Sequence, residues 1–75
     1  MDTKYKEQHK KLGLNMAYYR KMHGLTQVQL AKFLDIDRSH ISAIELGKVR
    51  ASVDVLFDMC DVLRIEPKDL FDFRD

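Results

Sequence analysis

The sequence of 75 residues has one cysteine, one proline and no tryptophan. A single cysteine cannot form an internal disulfide, which fits a reducing compartment, and the apolar neighbours of Cys60 favour a small buried side chain over a reactive thiol. No apolar run approaches the roughly 20 residues that span a bilayer, and residues 1–6 lack the apolar core of a signal peptide. We therefore expect a cytoplasmic protein with no membrane partner.

Other absences in the sequence argue against a β fold, a metal site and an enzyme. There is no alternating strand pattern, internal repeat, low-complexity tract or linker, so five packed helices in one all-α unit are predicted. The histidines His9, His23 and His40 show no ligand spacing with Cys60, which argues against a metal site. A helical chain of this length has little room for a water-excluding pocket, so neither catalysis nor a cofactor is predicted.

The charge is distributed unevenly along the chain. Residues 1–50 contain ten Lys or Arg and five Asp or Glu, whereas residues 51–75 contain three and seven. The first part would attract phosphate to one surface, and the acidic part would be left for a protein partner or for solvent.

The first helix is predicted from about Thr3 to His23, and Gly24 supplies a left-handed end. Its apolar stripe consists of Tyr5, Leu12, Met16 and Tyr19. Gly13 should weaken this helix by about 1 kcal/mol relative to alanine.

The second helix has a start signal with an explicit mechanism. Thr26 and Gln29 have the spacing of a capping box, in which two side chains satisfy backbone donors at a helix start. Leu25 and Leu30 flank the box as a hydrophobic staple. A helix from about Gln27 to Leu34 is predicted.

A second start signal follows eleven residues later. Asp37 is a good N-cap, with Ile36 and Ile41 placed as another staple. The third helix is predicted from Arg38 to Leu46, ending before Gly47, with only a short turn before it.

The third helix should bury Ile41 and Ile44 and turn a small, hydrogen-bonding surface outward. The outward residues are Arg38, Ser39, Ser42, Ala43 and Leu46. Two short helices across a tight turn, the second with polar groups outward, are the layout of a helix-turn-helix DNA-binding motif.

A fourth helix should begin after Ser52, a good N-cap, and a fifth after Glu66, because Pro67 suits a first helical position. The predicted core stripe of the fourth helix is Val53, Leu56, Phe57, Cys60 and Leu63. The apolar residues at the end of the chain either close the core or self-associate. Two DNA half-sites need a dimer, so Leu70 and Phe71 are predicted to be shared between core and interface, and Phe73 to lie in the interface.

The ordered pattern over about residues 12–71 resembles the Cro/repressor-type helix-turn-helix proteins, also called XRE-like regulators. It comprises Leu12-Gly13, Met16, Tyr19-Arg20, Gly24-Leu25-Thr26-Gln27, Leu30-Ala31, Leu34, Ile41-Ser42, Ile44-Glu45, Gly47-Lys48 and the segment Leu56 to Phe71. The resemblance implies one compact five-helix, lambda-repressor-like domain over residues 1–75. It also implies binding to a double-stranded DNA operator, usually as a homodimer, with the third helix in the major groove.

The resemblance assigns DNA contacts to the third helix. Arg38 and Ser39 match base-recognising positions, Ala43 matches a position that can touch a thymine methyl, and Ser42 is expected to touch DNA. Arginine suits this role because its planar fork can donate to guanine O6 and N7 together. His40 has two interpretations, a DNA contact or a surface histidine.

Further roles follow from the same resemblance. Gln27 matches a residue that contacts a phosphate and braces the first residue of the third helix. Lys48 and Arg50 fit phosphate contacts that set orientation without recognising sequence. Arg20 and Glu45 match a structural ion pair between the first and third helices.

Some positions depart from the family pattern. Asp35 stands where glycine is frequent, although aspartate tolerates left-handed backbone. Leu46 replaces a commonly polar residue, which puts one phosphate contact in doubt. Ala51 and Arg64 replace frequent proline and glycine, so less sharply defined ends of the fourth helix are expected.

The predicted function is therefore sequence-specific DNA binding by a transcriptional regulator, most simply a homodimeric repressor. Within this class, a controller of a restriction-modification system and a phage-type regulator are alternatives. The competing class is a protein-interaction module, such as an antitoxin whose acidic C-terminal part contacts its partner.

Overall fold

A computed structural model describes residues 4–73, and these fold into five helices without strands. The helices are α1 (Lys6–Met22), α2 (Gln27–Leu34), α3 (Arg38–Glu45), α4 (Val53–Leu63) and α5 (Pro67–Leu70). The predicted all-α class is confirmed. The expected start of the first helix at Thr3 lies outside the described residues, and within them α1 begins after Tyr5.

Side chains cap two of the helix starts as the sequence predicts. The Gln29 amide donates to Thr26 Oγ1 at 3.1 Å, and the Thr26 amide donates to Gln29 Oε1 at 2.9 Å. At α4, the Val55 amide donates to Ser52 Oγ at 3.1 Å. These bonds satisfy amides that have no partner inside the helix, so each start is fixed by local chemistry.

The start of α3 is made differently from the prediction. Asp37 occupies the N-cap position, but its side chain makes no capping hydrogen bond. Its backbone carbonyl instead accepts from the amides of His40 and Ile41, at 3.0 and 3.3 Å. The carboxylate is exposed, so water can solvate it, and the buried Ile41 anchors the first turn.

Two helices end at residues with left-handed backbone that are not glycine. Asp35 closes α2 with φ of 53°, and Arg64 closes α4 with φ of 55°. The expectation of poorly defined ends for α4 is wrong, because Ser52 caps its start and Arg64 turns the chain sharply at its end. Glycine is the residue that adopts this conformation without steric cost.

All five helices contribute to one core. Its buried apolar residues are Leu12, Met16, Leu30, Ala31, Ile41, Ile44, Leu56, Met59, Cys60, Leu63 and Leu70. The core prediction for α4 is wrong at two residues, since Val53 and Phe57 are 60% and 52% exposed. Met59 is fully buried in their place, because α4 packs on α1, α2 and α5 through a neighbouring stripe.

The cysteine lies in this core, as expected. Burial raises the pKa of the Cys60 thiol above its ordinary value, and the nearby carboxylates of Asp61 and Asp69 raise it further. A raised pKa keeps the thiol protonated at neutral pH, so Cys60 behaves as a small apolar side chain.

Candidate nucleic-acid interface

The C-terminal half of α3 lies directly against the backbone of α1. A Cβ atom at Gly13 would overlap the carbonyl oxygens of Ile44 and Glu45. A Cβ atom at Gly47, which has φ of 72°, would lie 2.8 Å from the Cα atom of Lys10. The sequence marks Gly13 only as a weak helix former, whereas the structure gives it a second role as the contact point between two helices.

A buried ion pair reinforces this contact. Arg20 Nε donates to Glu45 Oε2 at 2.7 Å and Arg20 Nη2 donates to Glu45 Oε1 at 3.1 Å. Arg20 Nη1 also donates to the carbonyl of Leu25 at 2.7 Å. The pair implied by the resemblance is therefore present, and it joins α1, the segment before α2 and the last residue of α3.

Gln27 takes part in the same network. Its Nε2 donates to Glu45 Oε1 at 3.0 Å, which is a bond to the last residue of α3. The structure gives Gln27 this partner, whereas the resemblance implied a brace to the first residue, Arg38. The physical reason is that Arg20 fixes the Glu45 carboxylate beside the start of α2, where it can accept a further hydrogen bond.

The two sides of α3 are sharply different. Ile41, Ile44 and Glu45 are buried toward α1 and the core. Arg38, Ser39 and Leu46 are exposed, while His40, Ser42 and Ala43 are partly buried on the same outer side. The structure thus brings the predicted DNA-contacting residues of this helix onto one open surface, which we call the outer face of α3 (residues 38–40, 42, 43 and 46).

Positive charge borders the outer face. Arg38 begins it, and Lys48 and Arg50 follow it on an exposed segment. Within residues 4–73, none of these three cations is in an ion pair. An anionic ligand at this surface would therefore not have to displace an internal partner.

The three residues predicted for dimerisation differ in their exposure. Leu70 is fully buried, so its predicted place in an interface is wrong: packing in the core leaves no side-chain surface for a second chain. Phe71 is half exposed, and Phe73 packs partly against the core. Their ring centroids are 6.1 Å apart.

Neither a metal cluster nor a membrane span is found in the part of the chain that the structure describes. No group of three or more His, Cys, Asp or Glu side chains there could hold a metal ion. None of the described helices combines the length and apolar character needed to cross a membrane.

A five-helix fold in which α2 and α3 meet across a three-residue turn, with a polar and cationic outer face on α3, defines a class of protein. This class is the helix-turn-helix DNA-binding transcriptional regulators. The family model described as Helix-turn-helix matches residues 16–70. The chain therefore belongs to the XRE-type helix-turn-helix family, as the resemblance indicated.

Individual relatives agree with this assignment. The chain is 38% identical over 60 residues to an uncharacterized HTH-type transcriptional regulator of Methanocaldococcus jannaschii, covering 80% of this chain and 91% of that protein. It is similar to the restriction-modification controller protein C.AhdI from Aeromonas hydrophila, with TM-score 0.78, 32% identity, and 83% and 94% of the two chains covered. A hypothetical transcription factor from Neisseria gives TM-score 0.79 at 25% identity, with 85% and 74% covered.

Proposed function

We propose that this protein binds a specific sequence in double-stranded DNA as a homodimer and represses transcription by occupying a promoter. The observation that carries the proposal is the outer face of α3. The inner side of α3 is fixed by the close contact with Gly13 and by the Arg20 to Glu45 pair, whereas Arg38 and Ser39 on the outer side are exposed. A rigid helix with a free polar side fits the major groove.

We assign base recognition to the outer face of α3. Arg38 donates to O6 and N7 of a guanine through its planar guanidinium. Ser39 and Ser42 exchange hydrogen bonds with base edges or the backbone, and Ala43 packs against a thymine methyl. His40 is partly buried on this face, where its ring is placed for a phosphate or a base edge, and the alternative of a surface histidine without a DNA contact stays open.

Phosphate contacts supply orientation and most of the salt-dependent affinity. Lys48 and Arg50 are proposed for this role because they are exposed beyond the end of α3 and lack ion-pair partners within residues 4–73. Gln27 uses one amide hydrogen on Glu45, and its second amide hydrogen can reach a phosphate.

Two copies are needed for a palindromic operator. Their α3 helices would lie about 34–36 Å apart, one turn of DNA. Phe71 and Phe73 are the proposed interface residues, since Phe71 is half exposed beside the partly buried Phe73 ring.

One comparison favours a narrower role. The similarity to the controller protein C.AhdI covers 94% of that chain at 32% identity. A controller of a restriction-modification system is therefore the second candidate, within the same DNA-binding class.

Selection of bound duplexes from a random pool at two salt concentrations tests the proposal. We expect a two-fold symmetric sequence whose binding constant falls steeply as salt rises. Absence of salt-sensitive DNA binding, together with co-purification of a tight protein partner, would support an antitoxin-type interaction module instead. A reporter gene driven by the selected sequence then shows whether the protein represses or activates.

A further inference from the structure

Leu46 is a large apolar residue on a surface that is otherwise polar or small. It follows the last helical residue of α3 but keeps right-handed helical backbone, and its amide donates to the Ser42 carbonyl at 3.0 Å. It therefore continues the stripe of Ser39 and Ala43, at spacings of four and three residues. Its side chain is 55% exposed.

The backbone around Leu46 cannot turn this side chain inward. Glu45 before it is held by Arg20 and Gln27, and its carbonyl lies against Gly13. Gly47 after it packs against the backbone of Lys10. Since α1 occupies the space behind this segment, Leu46 remains on the outer face of α3.

We propose that Leu46 is a specificity-determining residue that packs against the C5 methyl group of a thymine in the major groove. This inference rests on the proposed function. Thymine is the base that presents an apolar group in the major groove, whereas phosphates and the other major-groove edges present polar atoms. Leucine has no hydrogen-bonding group, so its favourable contact on DNA is burial of apolar surface.

Ala43 and Leu46 lie one turn apart on the same stripe, so the two side chains would follow one groove wall. The resemblance implied a thymine contact at Ala43 and none at Leu46, where it put one phosphate contact in doubt. The exposed, fixed position of Leu46 assigns it a positive role instead, a preference for thymine near the end of α3.

Deoxyuridine provides a test, because it differs from thymidine only by lacking the C5 methyl group and pairs equally with adenine. Each thymine of the selected duplex is replaced in turn, and binding is measured for the wild-type protein and for Leu46→Ala. The matched control is Leu14→Ala, which truncates a more exposed leucine on α1.

We expect at least one replacement to weaken wild-type binding by about fourfold, the value of one buried methyl group. Leu46→Ala should bind the thymine duplex more weakly than wild type does. At that position it should bind the thymine and deoxyuridine duplexes equally well. Leu14→Ala should retain the wild-type difference. A double-mutant cycle of this kind isolates the contact between side chain and methyl.

Equal binding of wild-type protein to all thymine and deoxyuridine duplexes would overturn the inference. So would a Leu46→Ala variant that keeps the full methyl effect at every thymine where the wild-type protein shows one, since a thymine contacted by Ala43 alone should keep its effect in this variant. Either result leaves the proposed function intact, provided that binding stays sequence-specific and salt-sensitive. Failure of the wild-type protein to bind any duplex specifically would overturn the proposed function itself. The wild-type comparison needs no variant, so it can overturn the inference even if Leu46→Ala fails to fold.

Discussion

The inner side of α3 is packed into the protein, whereas its outer side is open to solvent. The inner side carries Ile41, Ile44 and the ion-paired Glu45, all buried. The outer side carries Arg38, Ser39 and Leu46, all exposed. The eight residues of α3 and the adjoining Leu46 thus serve the fold on one side and the proposed DNA contact on the other. Substitutions on the inner side should change stability, and those on the outer side should change binding.

The largest effect is expected at Glu45. Glu45→Ala leaves the buried guanidinium of Arg20 without its carboxylate and should lower the free energy of unfolding by about 3–5 kcal/mol. The loss is measured by urea denaturation followed by circular dichroism.

Glu7→Ala is the matched control for this variant. It removes a carboxylate from an exposed pair with Lys10, at 3.9 Å, and should cost less than about 1 kcal/mol. Equal losses in the free energy of unfolding for the two variants would show that the buried ion pair contributes no more to stability than the exposed one.

Gly13→Ala should be the next most damaging change. The added Cβ atom overlaps the carbonyls of Ile44 and Glu45, so α1 and α3 must separate, at a cost of about 2–3 kcal/mol. Gly24→Ala is the control, since nothing lies within 4 Å of its added Cβ and only its left-handed backbone, with φ of 69°, is strained. The same denaturation assay should give about 1 kcal/mol there. A stabilised Gly13→Ala variant would contradict the close helix contact.

On the outer side, Arg38→Ala should weaken DNA binding by about 1–3 kcal/mol and relax the preference at one base pair. Stability should stay within about 0.5 kcal/mol of wild type, because the side chain is exposed. Fluorescence anisotropy with a panel of single-base operator variants measures both the affinity and the preference. A uniform loss over the panel would make Arg38 a phosphate contact.

Lys48→Ala removes a proposed phosphate contact beyond the end of α3. Binding should weaken to a similar degree on all sequences, and the slope of log binding constant against log salt should fall by about one. Titrations at three or more salt concentrations give the slope. An unchanged slope would remove Lys48 from the interface.

The smallest expected effect lies far from α3. Arg64→Gly relieves the left-handed backbone at the end of α4 and should raise the free energy of unfolding by about 0.5–1 kcal/mol. DNA binding should not change. A loss of stability in the denaturation assay would mean that the Arg64 side chain makes a contribution larger than its backbone strain.

Local chemistry explains why the start of α2 could be predicted from the sequence. The Thr26 and Gln29 side chains lie three residues apart, and their bonds need nothing from the rest of the chain. The family pattern likewise predicted the Arg20 to Glu45 pair, because both residues stand at matching positions. The outer face of α3 followed from its spacing alone.

Features that depend on packing were less predictable. The sequence of α4 has two overlapping apolar stripes. Packing against α1, α2 and α5 buries Met59 and leaves Phe57 exposed. Leu70 was predicted to be shared between core and interface, but its side chain lies wholly in the core. The bond from Gln27 to Glu45 joins residues 18 apart, so sequence spacing gave no sign of it.

A nuclear magnetic resonance titration of the labelled protein with the selected duplex tests the division of α3 most directly. We expect the largest amide shift changes at Arg38, Ser39, Ala43, Leu46, Lys48 and Arg50, with small changes in the core of α4. Large changes confined to α4 and α5, with the outer face of α3 unaffected, would contradict this expectation.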